Sequence, residues 1–246
     1  MPNCVRVMAA DPAVVAGLES ASAGPVLSAV LFDMDGLLVD TEHAWAQAEV
    51  AVMSWLGHPH WSQAETSQMV GGPLTKVAAY MKRVSGSDRS ARRIEAQLVA
   101  TMADLLAHGA DHRPGAQALL DDLTANSVPC ALVSSSPRSL VDAVLASVGG
   151  GHFTTTIAGD EVLRTKPFPD PYLLACDRLG VSAARAVVLE DSPVGVAAAE
   201  AAGCMVVAVP FVVAIEAAPR RYVVGSLEEL DTARLRLLLA GAATPS

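Results

Sequence analysis

Three short apolar runs, each cut off by polar residues, constrain this chain more than any other feature. They are Val26-Leu-Ser-Ala-Val-Leu-Phe32 before Asp33-Met34-Asp35-Gly36, Val128-Pro-Cys-Ala-Leu-Val133 before Ser134-Ser135-Ser136, and Ala186-Val-Val-Leu189 before Glu190-Asp191-Ser192. None alternates apolar with polar residues, so each reads as a strand buried on both faces, as in a parallel sheet. Helix punctuation follows them. Ser136 is a candidate N-cap with Pro137 at the first helical position and Gly149 as the stop, and Ser192, Pro193 and Gly203 repeat the arrangement, as do Asp170, Pro171 and Gly180. Alternating strand and helix predicts an α/β fold with a doubly wound parallel-sheet core. Such sheets bind ligands beyond the carboxyl ends of their strands, where this sequence puts its Asp, Ser and Glu residues.

One stretch breaks the alternation. From Glu42 to about Ala110 the pattern is helical, with a Ser62-Gln-Ala-Glu65 capping box, a Gly71-Gly72-Pro73 break and apolar residues at helical spacing from Ile94 to Leu106. This predicts a helical cap over 42–111 inserted into a discontinuous core of 26–41 and 112–246. Residues 1–25, rich in Ala, Ser and Gly, read as a loosely held extension.

Composition narrows the partners. Lys and Arg number 17 against 26 Asp and Glu, a net charge of −9, which argues against a surface that coats nucleic acid. The most apolar tail stretch, 201–215, is short and interrupted by Gly203 and Pro210, so no membrane span is expected, and the first residues make a poor signal peptide. Cys4, Cys130, Cys176 and Cys204 are widely spaced, which predicts reduced thiols and a cytoplasmic protein.

Asp33 and Asp35 stand two positions apart at a strand end, so both can face one crevice. Carboxylates this close repel unless a cation sits between them or one takes a proton. Either solution serves catalysis: a metal keeps Asp33 ionised as a nucleophile, and Asp35 exchanges a proton with leaving group or water. Asp-x-Asp-Gly alone also suits a turn or a calcium loop, but Leu37, Leu38 and Val39 follow where a calcium loop needs further oxygen ligands. Gly36 lets the chain turn beside the site. The Ser134 hydroxyl and the Ser135 N–H, near a helix start, form a seat for phosphate oxygens. Glu190 and Asp191, adjacent acids ending an apolar strand, are candidate metal ligands.

In order along the chain, Asp33-Met-Asp35-Gly36, Ser134, Lys166 in Thr165-Lys-Pro-Phe-Pro-Asp170, and Glu190-Asp191 resemble the four motifs of the haloacid dehalogenase-like (HAD) hydrolase superfamily, in the branch of β-phosphoglucomutase and sugar-phosphate phosphatases. The resemblance covers nearly everything after the N-terminal extension. It implies a Rossmann-like core, Asp33 as the nucleophile that forms an aspartyl-phosphate, and Asp35 as general acid and then base. It further implies Lys166 bridging nucleophile and phosphate, with Ser134 and Ser135 binding phosphate. Mg²⁺ would be held by Asp33, the backbone carbonyl of Asp35, and Asp191, supported by Glu190. The partner so implied is a small phosphorylated metabolite, and the protein a monomer or homodimer.

The resemblance also implies that the cap selects the substrate, with Trp45, Gly72 and Lys76 as candidates and Arg138 as a contact for a distal group. A tryptophan at such a position is more often core packing and a lysine such as Lys76 more often a solvated helix residue, and a surface helix position suits Arg138 at least as well. β-Phosphoglucomutase has a cap histidine where Trp45 stands, an arginine near Leu74, and Lys-Asn where Pro137-Arg138 stands. These departures favour hydrolysis of a sugar or polyol phosphate. Phosphomutase activity, and a non-catalytic sensor or binding protein, are the alternatives.

Overall fold

The computed structural model describes residues 26–62, 64–66 and 73–241. Strands β1 (Ala29–Phe32), β2 (Cys130–Val133), β3 (Phe153–Ile157), β4 (Ala186–Glu190), β5 (Met205–Ala208) and β6 (Arg221–Val223) form a sheet of order β3-β2-β1-β4-β5-β6. Every neighbouring pair is parallel. Helices α1 (Glu42–Trp55), α2 (Leu74–Ser85), α3 (Ala91–Leu106), α4 (Ala116–Ala125), α5 (Arg138–Val148), α6 (Asp170–Leu179), α7 (Pro193–Ala201) and α8 (Thr232–Gly241) pack around it.

The unalternating runs bury both faces, as a doubly wound sheet requires. Val30, Phe32, Leu132, Val187, Leu189 and Val207 point into one core with α4, α5 and α8. Leu31, Ala131, Val133, Val188 and Val206 point into the other with α6 and α7. The chain leaves β1 for β2 and β3 on one side, then returns to β4 on the other. The carboxyl ends of β1 and β4 therefore flank a crevice at the reversal point, which is where such sheets take ligands.

α1, α2 and α3 are inserted between β1 and the return to β2. They share a separate apolar cluster that includes Val52, Met53, Val77, Met81, Ile94 and Leu98. Ala48, Met102 and Leu106, with Trp45 beside them, join the main core instead. The two linkers run side by side, Asp40 N–H donating to Asp111 C=O at 3.0 Å and Arg113 N–H to Leu38 C=O at 2.9 Å. Ser62 and Glu65 make the reciprocal capping bonds, Ser62 N–H to Glu65 Oε2 at 2.7 Å and Glu65 N–H to Ser62 Oγ at 3.4 Å.

The helix punctuation needs two corrections. Ser192 caps α7 by accepting from Gly195 N–H, and α5 and α6 stop at Gly149 and Gly180, both with positive φ. Ser136, however, is not a cap: Pro137 takes that position, and the Ser136 hydroxyl turns into the site. Asp170 lies inside α6 behind Pro169, its carboxylate held by Arg164 Nε at 3.0 Å and Nη2 at 2.9 Å. Cys130, Cys176 and Cys204 are free, buried thiols. Cys4 and the 1–25 extension lie outside the described residues, and no described helix is long and apolar enough to cross a membrane.

Candidate active site

Asp33 is the first residue past β1, and its N–H still bonds Leu189 C=O of β4 at 3.0 Å. The sheet thus fixes its backbone. The Asp33 carboxylate meets Lys166 Nζ in a buried ion pair. The same ammonium donates to Val133 C=O at 3.0 Å and Glu190 Oε1 at 2.6 Å, which uses all three of its hydrogens. Lys166 is pushed up from its ordinary value because Asp33 and Glu190 outweigh the cost of burial.

Glu190 is fully buried at the end of β4, and both its oxygens are occupied. Oε1 accepts from Lys166 and from the Tyr172 hydroxyl at 2.6 Å, and Oε2 from Ser192 N–H at 3.2 Å and Ser192 Oγ at 3.0 Å. A Cβ on Gly195 would overlap this carboxylate, so only glycine lets the first turn of α7 pass so close. Asp191 follows, and a Cβ on Gly36 (φ +84°) would overlap its Oδ2, which puts Asp191 against the turn after Asp35. Oxygens of Asp33, Glu190 and Asp191 lie within 4.8 Å of one another. Burial, reinforced by Glu190, pushes Asp33 up to about 8 from 3.8 despite the adjacent lysine. Burial and the charges of Asp33 and Glu190 push Asp191 up to about 9. Asp33 and Asp191, which resist joint ionisation, with Glu190 beside them offer hard oxygens suited to a small divalent cation such as Mg²⁺.

Asp35 sits where the chain turns at Gly36. Its Oδ1 accepts from Thr41 Oγ1 at 2.7 Å and Trp45 Nε1 at 3.4 Å, its Oδ2 from Ser136 Oγ at 2.9 Å and Ser134 Oγ at 3.3 Å. Ser134 Oγ in turn accepts from Ser136 N–H at 2.9 Å. Ser135 is exposed at the rim of the same cavity. Four remote segments therefore converge: Asp33, Asp35, Ser134, Ser135, Lys166 and Asp191 all line one cavity, and Glu190 stands directly behind Lys166.

The insert supplies the facing wall through Glu42, Trp45 and Glu49 of α1, Thr66, and Leu74 and Val77 of α2. Of the three specificity candidates among the described residues, Trp45 alone is found there. Lys76 is exposed and points away, because Leu74 and Val77 take the inward positions of α2. Arg138 is tied off outside the cavity, its guanidinium donating to Glu161 Oε2 at 2.6 Å, Thr156 Oγ1 at 2.8 Å and Asp142 Oδ1 at 3.2 Å. Gly72 lies outside the described residues. The site also contains Ser136, Thr41, Tyr172, Glu42 and Glu49, which no motif marks. For Glu42 and Glu49 a signal existed, since positions 42, 45 and 49 share one helix face with Trp45. For Tyr172, on an otherwise apolar helix face, there was none.

A sequence profile of haloacid dehalogenase-like hydrolases matches residues 30–209, which span every one of these side chains. The chain belongs to that family. A phosphoglycolate phosphatase of Yersinia pseudotuberculosis is 32% identical over 184 residues, 71% of this chain and 77% of its own. CbbY of Rhodobacter sphaeroides, crystallised with phosphate, is 29% identical with a TM-score of 0.77, covering 85% of this chain and 98% of that one. A variant of CbbY with xylulose-1,5-bisphosphate, at 28% identity, superposes with the same score and coverage. β-Phosphoglucomutase of Clostridium difficile, at 20% identity over 87% of this chain and 97% of its own, shares the fold with a TM-score of 0.75. Among haloacid dehalogenase-like hydrolases the present chain is of the phosphatase type.

Proposed function

We propose that this hydrolase is a Mg²⁺-dependent phosphatase for a small phosphomonoester, a sugar or polyol phosphate, working through an aspartyl-phosphate on Asp33. The observation that carries the reading is the buried Asp33–Lys166–Glu190 assembly facing Asp191, Asp35 and Ser134 across one cavity. Asp33 attacks phosphorus as the ester P–O bond breaks, and the departing oxygen takes a proton from Asp35. Asp35 then removes a proton from water, which cleaves the acyl phosphate and frees phosphate and Asp33. Ser134 and Ser135 hold phosphate oxygens, and Lys166 keeps its charge beside the nucleophile throughout.

Asp33, Asp191 and the Asp35 backbone carbonyl would hold Mg²⁺, which when bound supplies the positive charge that lets an anionic carboxylate approach an anionic ester. Glu190 supports the set indirectly, because its oxygens already accept from Lys166, Tyr172 and Ser192. Residues 42–111 act as the cap over the 26–41 and 112–246 core, and Trp45 lines the substrate side. The free thiols fit a cytoplasmic setting.

Purified protein with Mg²⁺ and a phosphomonoester panel tests the reading. Release of free phosphate, with loss of about three orders of magnitude in kcat for Asp33→Asn, is the expected result. Isomerised sugar phosphate in place of free phosphate would mean a mutase. Normal turnover by Asp33→Asn would remove the nucleophile assignment.

A further inference from the structure

We propose that the cavity accepts phosphomonoesters whose leaving group is neutral or cationic, rich in hydroxyl or amino donors, and rejects those with a second anionic group near the ester. The inference rests on the phosphatase reading and names the substrate class of the same site. Its basis is the charge of the lining that the insert supplies to the cavity of Asp33. There α1 presents Glu42, Trp45 and Glu49 at positions i, i+3 and i+7, and α2 presents Leu74 and Val77. Glu49 is only 5% exposed, and its Oε2 accepts from Trp61 Nε1 at 2.9 Å and Thr66 Oγ1 at 2.7 Å. Trp61 can only donate, so Glu49 is oriented as an acceptor.

The described part of the cavity has no free cation to balance an added negative charge. Among its described lining residues the one cation is Lys166, already bonded to Asp33, Val133 C=O and Glu190. Lys76 is exposed, and Arg138 is paired outside. The cavity has a volume of about 120 Å³ and both glutamates line it. A hydroxyl or ammonium there finds acceptors, while a carboxylate or phosphate meets like charge beside the buried Glu49. Burial first, and then the charges of Asp35, Asp40 and Glu49, push Glu42 up to about 7, so an anion placed beside it adds to an existing negative field. Phosphoglycolate carries a carboxylate and xylulose-1,5-bisphosphate a second phosphate, so neither ligand named for the relatives suits this wall.

Two matched triads test it: 2-hydroxyethyl phosphate, phosphoethanolamine and phosphoglycolate; and glucose 6-phosphate, glucosamine 6-phosphate and 6-phosphogluconate. Phosphate release with Mg²⁺ gives kcat/KM for each, and ratios within one preparation are independent of the active fraction. The anionic member should fall at least about tenfold below its neutral partner. Glu49→Gln and Glu42→Gln should each narrow that ratio at least about threefold, a change misfolding does not produce. An anionic ester used as well as its neutral partner, or a ratio unmoved in both variants, overturns the inference while leaving the phosphatase reading intact. If only p-nitrophenyl phosphate is cleaved, the triads serve as competitive inhibitors, and the same order of affinities is required. No release from any ester overturns both.

Discussion

Tyr172→Phe isolates the part of the site that sequence reasoning did not reach. The Tyr172 hydroxyl is completely buried and donates to Glu190 Oε1 at 2.6 Å, the oxygen that also receives Lys166. A hydrogen bond to a charged group contributes about 1.5–3 kcal/mol, and the phenyl ring keeps the apolar packing of α6, so a loss of about 2 kcal/mol is expected. For a chain of this length that lowers Tm by about 4–8 °C. Lys166 retains Asp33, Val133 C=O and Glu190, so kcat/KM should fall only about tenfold, equivalent to about 1.4 kcal/mol. Calorimetry and phosphate-release kinetics, combined in a double-mutant cycle with Glu190→Gln, should give a coupling above about 0.5 kcal/mol. A Tm within about 1 °C of wild type, or additive effects in the cycle, would refute the role given to this hydroxyl.

Three further outcomes are expected. Asp33 and Asp191, raised from 3.8 to about 8 and about 9, bind protons in the folded state that the unfolded chain has released. The Tm of EDTA-treated protein should therefore fall as pH rises from 5 to 8, each such proton giving a slope of up to about 1.4 kcal/mol per pH unit, and Mg²⁺ should raise it more at pH 8 than at pH 5; a Tm that climbs over this range contradicts the assignment. Gly195→Ala forces the buried Glu190 carboxylate aside, so kcat/KM should drop by about two orders of magnitude, and wild-type turnover would show that the carboxylate's position does not matter. Arg138→Ala should change kcat/KM by less than about twofold while costing about 1 kcal/mol in denaturant unfolding, the reverse of what a substrate contact would give.

The core was legible because it is written in local chemistry. Buried parallel strands must be apolar throughout, and their ends must turn polar, so the runs ending at Phe32, Val133 and Leu189 marked strands and site together. Glycine at 36 and serine at 192 were readable for the same reason, since a positive φ and a helix cap are demands on a single position. Ser136 and Asp170 have the local pattern of caps, yet Pro137 and Pro169 hold those positions. In each case a competing partner, Asp35 or Arg164, lies beyond the reach of local rules.

Chain order and residue type alone determined the alternating core, the helical insert between β1 and β2, and the group of acids, serines and one lysine available for phosphoryl chemistry. Only the tertiary structure decided which of these face one another. It turned Tyr172 toward Glu190, brought Glu42 and Glu49 into one cavity with Asp33, and left Lys76 and Arg138 outside it. Such choices depend on helix rotation and on contacts between residues more than a hundred positions apart, such as Lys166 with Asp33 and Ser136 with Asp35, and a local sequence pattern carries no information about distance across a fold.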